Sequence, residues 1–220
     1  MPDPTRAKYR LIDLSHPVHD DMPVYPGDER VHIHRKASVA VDGYALCTIH
    51  LSTHVGTHAD APAHMLRDGD GIGSMDLSRF FGKACVLDCR ACGGTIDIVH
   101  LNSNIKRITT SEMLILRTGW DSRWGNPDYF REYPVLDLKA ARLLTQTRLS
   151  AIGIDAPSFD TSESDDFPIH RMLLGAGKVL IENLRGLENL PDEGFQISAF
   201  PLSFGKDMDG SPVRAVAWIE

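Results

Sequence analysis

The segment from His54 to His64 constrains the fold of this chain more than any other part of its sequence. It reads His-Val-Gly-Thr-His-Ala-Asp-Ala-Pro-Ala-His, with three histidines and one aspartate within eleven residues. Gly56 and Pro62 interrupt regular structure, and the residue before a proline is pushed towards extended geometry. A single helix that carries the histidines on adjacent turns is therefore a poor interpretation. Because apolar and polar residues alternate before the segment, we expect a strand that ends at His54 and continues into a loop.

The residue types in this segment are those of a metal centre. Neutral imidazole and carboxylate both ligate divalent first-row ions. Four of the ten histidines of the chain fall between His50 and His64. A donor set without thiolates and with spare positions is more typical of a catalytic site than of a closed structural one. Histidine clusters also occur without metal, and a hydrogen-bonded polar loop is the alternative.

Length and composition narrow the class of protein. A chain of 220 residues with 42% hydrophobic residues can bury a sizeable core, and we expect one domain over residues 1–220. The net charge of −7 and the lack of a long basic run argue against a nucleic-acid partner. No apolar run approaches the roughly 20 residues that span a bilayer, and the first residues lack the apolar core of a signal peptide. We expect a cytoplasmic protein with no membrane partner.

The four cysteines are few for a disulfide framework in a chain of this length, which agrees with a reducing compartment. Cys85, Cys89 and Cys92 have a spacing that a thiolate metal cluster could use, but a fourth ligand would have to come from elsewhere. Residues 85–90 alternate like a strand. The favoured interpretation is that these are free thiols in and just after a strand.

Hydrophobic patterning predicts a mixture of strands and helices. Residues 31–38 and 44–54 are expected to pair around the turn Asp42-Gly43, and residues 195–204 and 213–219 around Asp209-Gly210. A helix is predicted over 138–148, with Asp137 as its N-cap. Four short apolar runs bounded by polar residues are typical of buried strands: Ala84–Leu87, Met113–Leu116, Ala151–Ile154 and Val179–Ile181. Hairpins together with helix-strand units predict an α/β or α+β domain with a central mixed sheet.

Two later residues could complete a metal centre. His170 lies at the predicted start of a helix, and Glu182 directly follows an apolar strand. A carboxylate in that position must be solvated, paired or bound to a cation, because an unpaired buried charge costs several kcal/mol. Asp155 and Asp160 follow another buried strand and are second candidates, as partners that orient ligands. The three tryptophans are expected to be packing groups.

At this point the motifs resemble a known family, the cyclase family of metal-dependent hydrolases, whose best-known members are the bacterial kynurenine formamidases. The family signature His-x-Gly-Thr-His-x-Asp-x-Pro-x-His is met in full from His54 to His64. Further matching blocks begin at Pro23, Thr118, Gly153 and Asp209, and the His170 to Glu182 pair also matches. The resemblance extends from about residue 11 to the C-terminus.

This resemblance implies roles for particular residues. His54, His58 and Asp60 would bind metal, with His170 and Glu182 completing a site for one or two ions, and His64 would be the catalytic acid/base. The family uses zinc, with manganese in some members. The resemblance also implies a mixed α/β fold of the swivelling β/α/β type and a homo-oligomer, either a dimer or a tetramer.

The expected reaction is hydrolysis of a small-molecule amide. A metal ion would lower the pKa of a bound water, and His64 would pass a proton to the leaving nitrogen. The favoured substrate is N-formylkynurenine, an intermediate of tryptophan catabolism. Tyr25 stands where kynurenine formamidases carry a tryptophan that packs on the substrate, so ring opening of a cyclic or aryl amide such as isatin is the alternative. A metal-binding protein without catalysis is a more remote one.

Overall fold

A nine-stranded mixed sheet runs through the computed structural model, which describes residues 9–219. The strands of the described chain are β1 Arg10–Asp13, β2 His32–Ala37, β3 Leu46–His50, β4 His58–Asp60, β5 Phe81–Asp88, β6 Thr95–Ile96, β7 Met113–Arg117, β8 Val135–Leu136, β9 Ala151–Ile154, β10 Val179–Glu182, β11 Phe195–Ser198, β12 Gly210–Pro212 and β13 Val216–Ile219. The α-helices are α1 Val39–Asp42, α2 Ile98–Ser103, α3 Ile105–Thr109, α4 Leu138–Thr145 and α5 Pro168–Gly175.

The strands of the large sheet lie in the order β1-β13-β11-β5-β7-β9-β10-β4-β12. The four central strands β5, β7, β9 and β10 are parallel to one another, whereas the pairs towards both edges are antiparallel. Two small two-stranded sheets, β2-β3 and β6-β8, lie outside it. This confirms the mixed α/β fold that the sequence predicts.

The central strands are buried on both faces, which explains why they are continuous apolar runs. In β7, Leu114 and Leu116 belong to one hydrophobic cluster together with residues of α2 to α5, while Met113 and Ile115 belong to a second cluster on the opposite face. We call the first side the helix face of the sheet. Parallel strands covered on both sides need apolar residues at successive positions rather than at every second one.

Most of the predicted elements are confirmed. Each of the four apolar runs lies within a strand, β5, β7, β9 or β10. The predicted helix is α4, which begins after Asp137 and ends at Thr145, three residues earlier than predicted. The Asp137 carboxylate accepts a hydrogen bond from the Ala140 amide, as an N-cap does. In the described residues, no helix is long and apolar enough to cross a membrane.

The first predicted hairpin exists, but its second strand is shorter than expected. β2 and β3 pair antiparallel and are joined by α1 and by Gly43, whose φ of 78° is left-handed. β3 ends at His50, so the expectation that His54 ends a strand is wrong. All five residues of β3 are exposed, and the alternation that predicts the strand therefore marks no core face.

The prediction at the C-terminus is half right. β11 and β13 pair antiparallel, as expected. Asp209-Gly210 does not form their turn, because Gly210–Pro212 forms the separate strand β12 beside β4. The strand pairing of the tail therefore places Asp209 close to the histidine segment.

Candidate metal centre

The register of β4 and β10 brings the first site residues together. In this antiparallel pair Glu182 lies opposite His58, and Leu180 lies opposite Asp60. Ala59 and Ile181 point into the cluster opposite the helix face. Because successive side chains of a strand point to opposite faces, His58, Asp60 and Glu182 share the helix face, where α5 carries His170.

His58 and Asp60 are buried and face one another. The Nδ1 of His58 donates to the backbone carbonyl of Gly56 at 2.8 Å. This fixes the ring so that Nε2 lies 3.3 Å from the Asp60 carboxylate and 3.4 Å from that of Glu182. A histidine held by one nitrogen while the other faces carboxylates has the orientation of a metal ligand.

His170 is held in the same way from the other side. Its Nδ1 lies 2.7 Å from Oδ2 of Asp160, and its Nε2 lies 3.0 Å from Oε1 of Glu182. Asp160 also accepts hydrogen bonds from the backbone amides of Ile169 and His170, at the start of α5. Asp160 therefore holds the imidazole of His170 in place, which is the contact that the sequence leads us to expect. Phe167, which precedes α5, has a φ of 45°, a strained conformation for a bulky residue.

His54 reaches the centre from the loop between β3 and β4. Its Nδ1 lies 2.8 Å from Oδ1 of Asp60, and its Nε2 lies 3.0 Å from Oδ2 of Asp209. The ring packs against Gly210, where a β-carbon would come within 2.7 Å of the imidazole. Asp209 is a site residue that the sequence reasoning missed. Its block was matched to the family, but it was interpreted as a turn.

The pKa values of the centre are shifted because its histidines and carboxylates lie close together. Burial alone would lower the pKa of His54, but its hydrogen bonds to Asp209 and Asp60 outweigh burial and raise the pKa to about 10. The pKa of buried His170 is likewise raised well above its usual value, by Asp160, Asp60 and Glu182. Burial would raise the pKa of Asp60, yet the charge of His58 and hydrogen bonds from the histidines hold it well below the usual range. Burial and the neighbouring Asp60 raise the pKa of Glu182.

His64 differs from the other histidines of the centre. It ends a short 3-10 helix, Pro62–His64, and its Nδ1 is 3.8 Å from Oδ2 of Asp209, beyond hydrogen-bond distance. Its ring lies 3.9 Å from that of His54, measured between centroids. Burial first, and then the neighbouring charges of His54 and His170, lower its pKa to about 4. His64 is therefore neutral at pH 7.

A cavity of about 280 Å³ opens above the centre. Four aromatic side chains line it, namely Tyr25, Trp124, Phe130 and Phe167. The polar lining includes His54, His58, His64, His170 and Glu182. Tyr25 is half-buried and meets the edge of Phe130, with ring centroids 5.6 Å apart. Trp124, expected to be only a packing group, lines the cavity and stacks on His16 at 3.8 Å.

The donor atoms fit a divalent cation. Near the mouth of the centre, His54, His64 and Asp209 each offer one ligand atom within 4.8 Å of the others. Two further groups of this kind lie deeper: His54, His58 and Asp60, and Asp60, His170 and Glu182. Asp60 belongs to both groups, and its Oδ2 is buried without a hydrogen-bond partner. A buried carboxylate oxygen without a partner is costly, and a cation removes that cost.

Asp155, the other second candidate, does not orient a ligand of the centre. Its carboxylate accepts hydrogen bonds from the Thr118 hydroxyl and from the backbone amides of Thr118 and Gly119, at 2.6 to 2.8 Å. Burial raises its pKa to about 6. It fixes the loop that follows β7 instead.

A model of the Cyclase family matches residues 12–161 of this chain. The chain belongs to this family. Relatives in the Cyclase family include the kynurenine formamidase of Salinibacter ruber, 34% identical over 212 residues that cover 94% of this chain and 96% of the relative. The kynurenine formamidase of Polaromonas naphthalenivorans is 29% identical over 211 residues, which cover 94% and 90% of the two chains.

Solved structures agree with the fold of this Cyclase-family chain. Isatin hydrolase A from Labrenzia aggregata, bound to benzyl benzoate, superposes with a TM-score of 0.87 at 25% identity, covering 98% of this chain and 96% of that one. Isatin hydrolase A from Ralstonia solanacearum also has a TM-score of 0.87, at 23% identity, and covers 98% and 94%.

Proposed function

We propose that this protein is a metal-dependent amide hydrolase that acts on a small aryl amide, with N-formylkynurenine as the first candidate substrate. One observation carries the proposal: two groups of nitrogen and oxygen donors share Asp60, and their other members, His54, His58, His170 and Glu182, line a cavity with aromatic walls. The kynurenine formamidases among its relatives support the reaction class.

The residues that would hold the metal are His54, His58 and Asp60, with His170 and Glu182 around the shared Asp60. A mixed imidazole and carboxylate set suits zinc, and manganese is the alternative. When bound, the ion supplies Lewis acidity, which polarises a carbonyl group and lowers the pKa of water.

His64 has the position and the protonation state of the general acid/base. It faces the cavity and is neutral at pH 7, because its pKa is lowered to about 4. It accepts a proton from the attacking water and returns it to the amide nitrogen as the C–N bond breaks. The products from N-formylkynurenine are kynurenine and formic acid, which ionises to formate and a proton, so atoms and charge balance without another reactant.

The aromatic walls position the ring of the substrate. Tyr25 and Phe130 lie edge to face, and Trp124 is held by its stack on His16. Rigid aromatic rings of this kind bind a planar substrate at low entropic cost, and each pair contributes about 0.5–1.5 kcal/mol beyond burial. Replacement of Tyr25 by alanine should therefore lower kcat/KM by about threefold to tenfold, while Tyr25→Phe should retain most of it.

Ring opening of a cyclic amide is the second candidate function. The isatin hydrolase structures that align over almost the whole chain favour it, as do the flat aromatic walls. Both candidates use the same metal and the same acid/base, and they differ only in the substrate.

The experiment is an assay of purified protein of known metal content on N-formylkynurenine, beside a chelated sample and a panel of cyclic amides. Chelator-sensitive release of formate with kcat/KM above roughly 10⁴ M⁻¹s⁻¹ supports the formamidase. Activity on a cyclic amide alone moves the protein to the second candidate. Inactivity on every substrate at full metal occupancy would overturn both.

We further propose that the protein is a homo-oligomer and that the β2-β3 hairpin lies at its interface. Three apolar residues of the hairpin are strongly exposed to solvent: Val41 by 84% of its surface, Val39 by 68% and Ile49 by 55%. An isolated two-stranded hairpin is only marginally stable in water. Exposed apolar side chains on such a hairpin are typical of a protein–protein interface. Val41→Glu should halve the mass measured by light scattering, whereas Val99→Glu, at an exposed site on α2, should not. The cytoplasmic location stays a prediction.

A further inference from the structure

A second cluster of metal-binding residue types lies at the end of β5, away from the centre. Cys89 directly follows β5, and the amide of Cys92 donates to the carbonyl of Cys89 at 3.0 Å, which closes a tight turn. α2 brings His100 to the same place. Cys89, Cys92 and His100 each offer one ligand atom, and these atoms all lie within 4.8 Å of one another. The fold therefore supplies the third residue that the Cys-x₂-Cys spacing lacks.

Hydrogen bonds hold both the ring and the backbone of His100 in place. Its Nε2 lies 2.9 Å from the backbone carbonyl of Asp88 and donates to it. The neutral ring then keeps its lone pair on Nδ1. The Asp97 side chain accepts from the His100 amide, so the backbone of His100 is fixed as well. Metal-binding histidines characteristically donate their other ring nitrogen to a carbonyl or a carboxylate in this manner.

The surroundings do not suit a redox-active thiol pair. Burial raises the pKa of Cys89, and the neighbouring Cys92 and Asp155 raise it further. Burial also raises the pKa of Cys92. Reactive dithiols have lowered pKa values, because the thiolate is the nucleophile. A divalent cation is the partner that favours the deprotonated form of such thiols.

We propose that Cys89, Cys92 and His100 bind a zinc ion through two thiolates and one imidazole. Tetrahedral zinc with bonds of about 2.0–2.3 Å places neighbouring ligand atoms about 3.5–3.8 Å apart, so the side chains need to close by only about 1 Å. A cavity of about 280 Å³ lined by Cys92, Thr95, Asp97 and His100 leaves room for water as the fourth ligand. Two thiols lose their protons as the ion binds.

The site joins two separate parts of the helix face. Cys89 belongs to the large hydrophobic cluster and Cys92 packs against it, while His100 lies on α2, whose Leu101 belongs to the same cluster. A bound ion fixes the connection between β5 and β6 to α2. This ion is independent of the proposed amide hydrolysis.

Cobalt substitution tests the proposal without interference from the candidate metal centre. Cobalt(II) bound by thiolate gives a sulfur-to-cobalt charge-transfer band in the near ultraviolet, and the donors around Asp60 contain no sulfur. The chelated protein is kept reduced and titrated with cobalt(II). We expect a thiolate band whose final intensity corresponds to one thiolate-bound cobalt per chain and which disappears as zinc is added.

Three variants assign the band to residues. Cys92→Ser and His100→Gln should weaken cobalt and zinc binding at this site by at least about 100-fold, as expected for loss of a direct ligand rather than an outer partner. Cys47→Ser is the matched control, since Cys47 is an exposed thiol on β3, and it should keep the band. If circular dichroism shows that Cys92→Ser does not fold, His100→Gln decides alone.

Several results would overturn the proposal. One is that the wild type shows no thiolate band although it takes up cobalt. The other is an unchanged band in folded His100→Gln or Cys92→Ser. A Cys89–Cys92 disulfide that forms without reductant, together with no band in the reduced protein, also counts against it.

Discussion

The candidate metal centre has a deep half and a mouth half, and they differ in exposure and in how tightly their side chains are held. The deep half consists of His58, Asp60, His170 and Glu182, and the mouth half consists of His54, His64 and Asp209. The side chains of the deep half are at most 6% exposed, whereas those of the mouth half are 18–42% exposed. The deep histidines have both ring nitrogens engaged, but His64 has no hydrogen-bond partner among the described residues. The deep half therefore supplies four of the five candidate ligands, whereas the mouth half combines the fifth, His54, with the candidate acid/base His64.

The largest expected effect comes from a substitution that removes a donor from the deep half. Asp60→Asn removes a charge from both donor groups, so metal content should fall below about a tenth of the wild-type value. Amide hydrolysis should fall to the background rate. Metal analysis and the formate assay measure the two losses, and Asp68→Asn, an exposed carboxylate outside the centre, is the control. Full metal content in Asp60→Asn would contradict the division into halves.

The second effect tests the mouth half. His64→Asn should lower kcat by about 10²–10⁴, the usual contribution of a general acid/base, while metal content stays at the wild-type level. Measurement of kcat and metal content on one preparation shows directly whether the two halves have different roles. If His64→Asn lost its metal instead, His64 would belong with the residues that hold the ion.

A smaller effect should follow from loosening the deep half without removing a ligand. Asp160 touches His170 but lies outside the two donor groups around Asp60. Asp160→Asn should weaken metal affinity by about 10–100-fold, since partners that orient ligands contribute in that range. Competition with a chelator measures the change, and Asp165→Asn serves as the exposed control. An unchanged affinity would mean that packing alone orients His170.

The smallest effect concerns stability and pH. The folded protein lowers the pKa of His64 from 6.5 to about 4, so protonation favours the unfolded chain. The contribution of neutral His64 to stability is complete above pH 6.5, and it is lost as the pH falls from 6.5 to about 4. Relative to His64→Asn, the chelated wild type should lose at most about 3 kcal/mol of unfolding free energy between pH 7 and pH 4. Denaturant titrations of both proteins give this difference, and a constant difference across the range would refute the assigned shift.

The sequence predicts the two halves unequally. The deep half and the residue that holds His170 lie in or beside strong local patterns: Glu182 ends an apolar run, and Asp160 follows another. The mouth half depends on contacts between distant parts of the chain. Asp209 reaches His54 only because β12 pairs with β4, and two three-residue strands are too short to leave a periodic pattern.

The end of β3 was predicted wrongly for a related reason. The alternation that continues through Leu51 and His54 does not mark a buried face, because β3 stands on an exposed hairpin. Local alternation indicates an extended backbone, but pairing partners decide where a strand stops. For β3 the partner is β2, whose first residue, His32, lies opposite His50.

The position of β4 between β10 and β12 has a consequence for biosynthesis. The strand that carries His58 and Asp60 is made well before both of its neighbours in the sheet. Until residues 179–182 and 210–212 have emerged from the ribosome, the strand has no partner on either side. His58 and Asp60 therefore meet Glu182 only after β10 has been made, so the proposed metal site is not complete before that point of synthesis.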